Sequence, residues 1–105
     1  MELTMHPLYL DKKGRPLVAV TGMGVVTSLG SGKNENWTKL TSGCSGIRPI
    51  TRFPTEGLRT TIAGTVDGVP IISPTSAGRT KSMAAVAATE ALDEAGMDQG
   101  DFPGP

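Results

Sequence analysis

Four consecutive apolar residues, Leu17-Val-Ala-Val20, run straight into Thr21-Gly-Met-Gly24 and on to Gly30, and this order constrains the chain more than any other feature. An all-apolar run marks a strand covered on both faces, because a half-exposed strand alternates apolar and polar residues. The run therefore predicts a central strand, then a sharp glycine turn, then a helix. Ser31 or Asn34 is placed to cap that helix, which should extend for about ten residues. It carries Trp37 and Leu40 on one face and stops at Gly43, where a left-handed residue is wanted.

Further along, Pro49 and Pro54 predict an extended, irregular path up to Arg59. The β-branched residues of Thr60-Thr-Ile-Ala-Gly-Thr-Val66 then predict a second strand. Residues 67–78 carry Pro70 and Pro74 and read as a long crossing loop. From Arg79 to Ala95 the pattern is helical: Met83, Ala87 and Ala91 recur at four-residue spacing, flanked by Ala84, Ala88, Leu92 and Ala95, with Gly96 as the stop. An alanine-rich face predicts close approach to a neighbour. Arg79 and Lys81 at the start, with Asp93 and Glu94 at the end, oppose the helix dipole, so this helix must draw its stability from packing.

Residues 1–16 read as an N-terminal arm and residues 17–105 as the folding part, with the turn-formers of 99–105 leading towards a further element. The fold class is α/β, in the order strand, helix, strand, helix. A right-handed crossover would make the two strands parallel neighbours. Both would still need more strands and a second helical layer, since a two-stranded sheet is marginal and small domains bury a low fraction of their surface. The sheet is expected to be incomplete within this chain, and strands without partners predict self-association or domain swapping.

Composition narrows the function. Ten basic and ten acidic residues leave no electrostatic reason for nucleic acid or an anionic membrane as partner. A single cysteine excludes an internal disulfide framework and a multi-cysteine zinc site, and makes the cytoplasm the default expectation. The apolar runs fall far short of the roughly 20 residues of a membrane helix, and residues 1–13 lack the charged-then-apolar order of a signal peptide.

Several residues invite chemistry and each has a plainer reading. Gly22-Met-Gly24 after a strand suggests dinucleotide binding, but Thr27 stands where the third glycine belongs and no acidic residue ends a second strand at the expected distance. Glycines that permit a sharp turn and close strand-to-helix packing explain the motif as well. Gly30-Ser-Gly-Lys33 resembles part of a phosphate loop, yet Asn34 replaces the required Ser or Thr and Thr27 the leading glycine. Cys44 falls just past a predicted helix C-terminus, where the dipole works against a negatively charged sulfur, and His6 sits in the arm. Glu90, Asp93 and Glu94 read as a solvated helix face rather than a metal or acid/base site, and Trp37 with Leu40 as core. No residue of this chain is assigned a catalytic, cofactor-binding or metal-binding role.

Five stretches in order carry a family resemblance that runs from about Leu17 to Met97. They are Val20-Thr-Gly-Met-Gly-Val-Val-Thr27, Trp37 with Leu40, Ser45-Gly-Ile-Arg-Pro-Ile-Thr-Arg-Phe53, Ile62-Ala-Gly64, and Ala84 to Gly96 with its Glu90-Ala-Leu-x-x-Ala-Gly96 ending. Together they resemble the opening of a β-ketoacyl-acyl carrier protein synthase, particularly the elongating type II enzymes. The resemblance implies a partial thiolase-like fold, the start of the first of two similar halves, each a mixed five-stranded sheet between helices, usually assembled as a homodimer. It implies an acyltransferase of fatty-acid biosynthesis that moves an acyl group from acyl carrier protein to a cysteine and condenses it with malonyl-acyl carrier protein, with two histidines supporting the step. In the family that cysteine and both histidines come later than Pro105 would reach, and the position of Cys44 is commonly a polar surface residue. This segment is thus expected to be structural, with acyl carrier protein and acyl or malonyl thioesters as partners of the parent enzyme and no cofactor. A non-catalytic ketosynthase-like partner subunit and a small nucleotide-binding module are the alternatives.

Overall fold

A computed structural model describes residues 9–98 of the chain. In chain order the elements are β1 (Val26–Thr27), β2 (Gly30–Ser31), α1 (Lys33–Thr41), β3 (Ile47–Pro49), β4 (Ile62–Gly64) and α2 (Ser76–Ala95). The expected turn-formers of 99–105 and His6 lie outside the described residues.

The helix stops follow the sequence directly. Gly43 and Gly96 have positive φ, 74° and 68°. At each, two backbone bonds close the last turn: Gly43 N–H to Leu40 O and Cys44 N–H to Lys39 O in α1, Gly96 N–H to Asp93 O and Met97 N–H to Leu92 O in α2. This is the Schellman closure, which satisfies carbonyls that the helix itself leaves without partners.

The helix starts depart from expectation. α1 begins behind Gly32, with no side-chain cap from its own sequence. Ser31 is paired with Val26 in the β1–β2 hairpin and Asn34 already lies inside the helix, so neither can cap it. α2 starts at Ser76, three residues before Arg79, because the Thr75 hydroxyl accepts the Gly78 N–H at 3.1 Å and sets the first turn. The crossing loop is shortened accordingly, and the buried Ser82 hydroxyl holds it to α2 by accepting the Ile72 N–H at 3.2 Å.

The strands differ most. Leu17–Val20 is extended but joins no ladder, and Val18 and Val20 are 92% and 79% exposed, so the expected central strand has no sheet around it. The glycine turn folds back as a hairpin of its own, β1 against β2. Residues 47–49, expected to be irregular, form β3, and the second strand shrinks to Ile62–Gly64; the two pair antiparallel, with Ile50 N–H to Thr61 O extending the ladder. The parallel crossover is therefore not formed. The physical cause is local supply: each short strand pairs with the nearest segment that turns back on it, and the 17–20 segment is met at its first residue, where the Leu17 N–H donates to the Tyr9 carbonyl at 2.7 Å without a ladder forming. Within the arm, residues 9–17 make a tight turn in which the Asp11 carboxylate accepts the Lys13 and Arg15 N–H groups and pairs with the Arg15 guanidinium.

Among the described residues no apolar side chain is buried; only Asn36 and Ser82 are. No helix among them is long and apolar enough to cross a membrane. Exposed strand edges and apolar faces template pairing with other chains. The chain should therefore self-associate in a concentration-dependent way, and sedimentation velocity of a Val18→Lys, Val20→Lys double variant should show a clear shift towards monomer.

Candidate functional site

The segment from Gly22 to Val25 lies along α2 at a separation that only glycine allows. A Cβ at Gly22 would overlap the carbonyl oxygen of Ala91, and one at Gly24 that of Ala87. The spacing is arithmetic: extended residues two apart are about 6.6 Å apart, and helical residues four apart about 6 Å. An extended segment running antiparallel to α2 therefore repeats its contact with every second residue against every fourth. The alanine face, expected to approach a neighbour closely, and the two glycines, expected to allow close packing on a helix, are two halves of one contact.

The same register serves two carboxylates. Glu94 accepts the Met23 N–H at 2.6 Å and pairs with the Lys33 ammonium. Glu90 accepts the Val25 N–H at 2.9 Å with one oxygen and the Lys33 N–H at 2.8 Å with the other. Since Lys33 is the first residue of α1, Glu90 supplies from 57 residues downstream the cap that the local sequence lacks. The N–H of Lys33, then that of Val25, holds the Glu90 carboxyl below its ordinary value; the Lys33 side chain, then the Met23 N–H, does so for Glu94. The expectation of a solvated acidic face is thus corrected in part: Glu90 and Glu94 bond to the neighbouring segment, although Glu94, like Asp93, stays exposed. The missed signal was positional: Ala87, Glu90, Ala91, Glu94 and Ala95 form one i, i+3, i+4, i+7, i+8 stripe, so the two acids share the packing face.

Asn36 organises the hairpin. Its amide accepts from the Thr27 hydroxyl and donates to the Gly30 and Gly32 carbonyls at 3.0 and 2.8 Å. Thr27 in turn accepts the Leu29 N–H, and Lys39 reaches the Leu29 carbonyl at 2.7 Å while pairing with Glu35. Arg48 clasps the hairpin tip from β3, donating to the Ser28 carbonyl at 2.6 Å and pairing with Asp67. Sequence reading passed over Asn36 because an asparagine inside a helix ordinarily points to solvent.

These bonds bear on the phosphate-loop and dinucleotide readings. Both need backbone N–H groups free for phosphate. Here the N–H groups of Met23, Val25, Ser31, Gly32 and Lys33 all bond to protein acceptors, and the Lys33 ammonium is engaged by Glu94. Cys44 is exposed beyond the end of α1, its sulfur 3.3 Å from the Ser42 hydroxyl. Trp37 and Leu40 are 66% and 62% exposed rather than core, and line an open groove of about 590 Å³ with Met23 and Val25. Among the described residues no group of three or more His, Cys, Asp or Glu is placed to hold a metal ion. Because backbone, not a flexible side chain, meets Gly24, a Gly24→Val substitution should lift the segment off α2 at a cost of about 1–3 kcal/mol. A fall in the urea midpoint followed by the fluorescence of Trp37, the single tryptophan, measures it.

Comparison with known proteins places this arrangement. The sequence profile described as "Beta-ketoacyl synthase, N-terminal domain" matches residues 16–105. The chain is 43% identical over an 89-residue alignment to a putative polyketide β-ketoacyl synthase 1 of Streptomyces cyaneus, covering 79% of this chain and 21% of that protein. It is 45% identical over 49 residues to 3-oxoacyl-[acyl-carrier-protein] synthase 2 of Coxiella burnetii, covering 47% of this chain and 12% of the relative. Among solved structures, the ishigamide ketosynthase/chain length factor superposes with a TM-score of 0.64 at 37% identity, over 79% of this chain and 22% of that one. The chain thus spans about a fifth or less of the length of these relatives. Its α/β elements are part of the thiolase-like ketosynthase fold, and the chain belongs to the β-ketoacyl synthase family.

Proposed function

We propose that this chain is the N-terminal structural segment of a condensing ketosynthase, an acyltransferase that joins an acyl-enzyme to malonyl-acyl carrier protein. One observation carries this reading: the stretches that match the family, the glycine turn and the Glu90–Gly96 ending, are those that lock together, and they do so with their polar groups spent on one another. The segment is a scaffold, and the reacting groups belong to the continuing chain. Residues 1–16 act as an arm and 17–105 as the start of the synthase domain.

The relatives favour a polyketide over a fatty acid as the product class. Alignments to four polyketide ketosynthases cover 76–79% of this chain, against 47–49% for three 3-oxoacyl synthases and 48% for a further polyketide relative. A second reading, a ketosynthase-like partner without condensing activity, draws support from the paired ketosynthase and chain length factor of the structural neighbour. By the first reading acyl carrier protein and acyl or malonyl thioesters are the partners, in a homodimer in the cytoplasm; by the second the partner is an active ketosynthase.

The continuing reading frame and an assay separate the two. A condensing enzyme carries a cysteine at a strand-to-helix turn and two later histidines, and the complete protein turns over malonyl-acyl carrier protein without another ketosynthase. In that protein Cys44→Ser should leave the condensation rate essentially unchanged, because the exposed thiol contacts a serine hydroxyl just past the end of α1. Stability should move by no more than about 0.5 kcal/mol, as for other surface substitutions. A hundredfold fall in steady-state turnover with folding intact would overturn the scaffold reading.

A further inference from the structure

We infer that Glu90 and Glu94 form an ionisation-dependent latch that makes the docking of the Gly22–Lys33 segment on α2, and with it the start of α1, conditional on both carboxylates being charged. Each carboxylate uses both oxygens as acceptors at once. Glu90 takes the Val25 and Lys33 N–H groups, and Glu94 takes the Met23 N–H and the Lys33 ammonium. Four donors meet four acceptor oxygens, one donor at each.

A protonated carboxyl or an amide breaks the count in the same way. Either one keeps a single full acceptor and turns a donor towards a position where an N–H already points. Protonation therefore does more than weaken the contact; it sets donor against donor. The loss is not made up locally, since Gly32 has no side chain to cap α1 and Gly22 and Gly24 meet α2 through backbone.

The charged groups facing the latch are few. Lys33 faces both carboxylates from α1, each carboxylate faces the other along α2, and residues 22–25 bring no charge. Glu35 and Lys39 pair with each other on α1, where Glu35 serves the Ser31 N–H. Both latch carboxyls are held below the ordinary value of 4.5. For such groups the contribution is complete above that value and is lost as pH falls through the lowered one. The latch is closed at neutral pH and opens in the acid range below 4.5.

Backbone hydrogen exchange of the whole chain, corrected for intrinsic rates, reads this directly. Between pH 6 and pH 3 the protection of the Met23, Val25 and Lys33 amides should fall together, by up to about tenfold per pH unit for each proton taken up. The amides of Ala87 and Ala91, inside α2, should keep their protection over the same range. A Glu90→Gln, Glu94→Gln double variant should show the three amides already open at pH 7 with no acid step, and Glu35→Gln should retain the step. Loss of α2 protection together with the three amides means global acid unfolding and overturns the proposal. So does an acid step that persists in the double variant, or three amides that are unprotected in the unaltered chain at pH 7. If the double variant fails to fold, the order of release in the unaltered chain decides alone.

Discussion

The backbone contact between Gly22–Val25 and α2 is the constraint on which the other elements depend. It fixes where the hairpin β1–β2 leaves the helix, and the hairpin in turn fixes where α1 starts. The contact is unusual in its materials, because at Gly22 and Gly24 backbone rather than side chain meets the helix. Two glycines and a row of alanines bring the backbones together. Carboxylates then answer the N–H groups that such an approach would strand. Desolvated peptide donors without acceptors would make the approach unfavourable, and the acids remove that penalty.

This arrangement explains how a chain with no buried apolar side chain among its described residues still has defined elements. Order comes from hydrogen bonds that cross between distant parts of the sequence: Glu90 to Lys33, Lys39 to Leu29, Arg48 to Ser28. The apolar residues face outward instead, Val18 and Val20 on the extended segment, Trp37 and Leu40 on α1. The polar bonds place the elements, and the apolar residues are left facing outward.

Local signals were legible where the physics is local. Gly43 and Gly96 stop their helices as the sequence indicates, because a left-handed residue at a helix end needs no partner from elsewhere. The alanine periodicity of α2 and its close approach to some neighbour were readable for the same reason: small residues at fixed spacing have one main use; that the neighbour is the Gly22–Gly24 turn was not. Strand assignments fared worse. Leu17–Val20 has the composition of a central strand and remains unladdered, while Ile47–Pro49, with a proline in it, is paired. A strand is defined by its neighbour, and composition says little about which neighbour is within reach.

The sequence by itself determined the helices, their stops and the family, because each rests on spacing along one segment or on residues matched in order. Only the tertiary structure decided what the acids do. Glu94 sits in the last turn of a helix, where the dipole disfavours it, and Glu90 one turn earlier; read alone both belong to solvent. Their backbone partners are amides of residues 23, 25 and 33, which lie 57 to 71 residues away in sequence. Asn36 gains its role in the same way, from carbonyls that a hairpin turns towards it. Backbone donors and acceptors are identical at every residue and carry no mark in the sequence, so which of them a side chain will meet is settled by the fold.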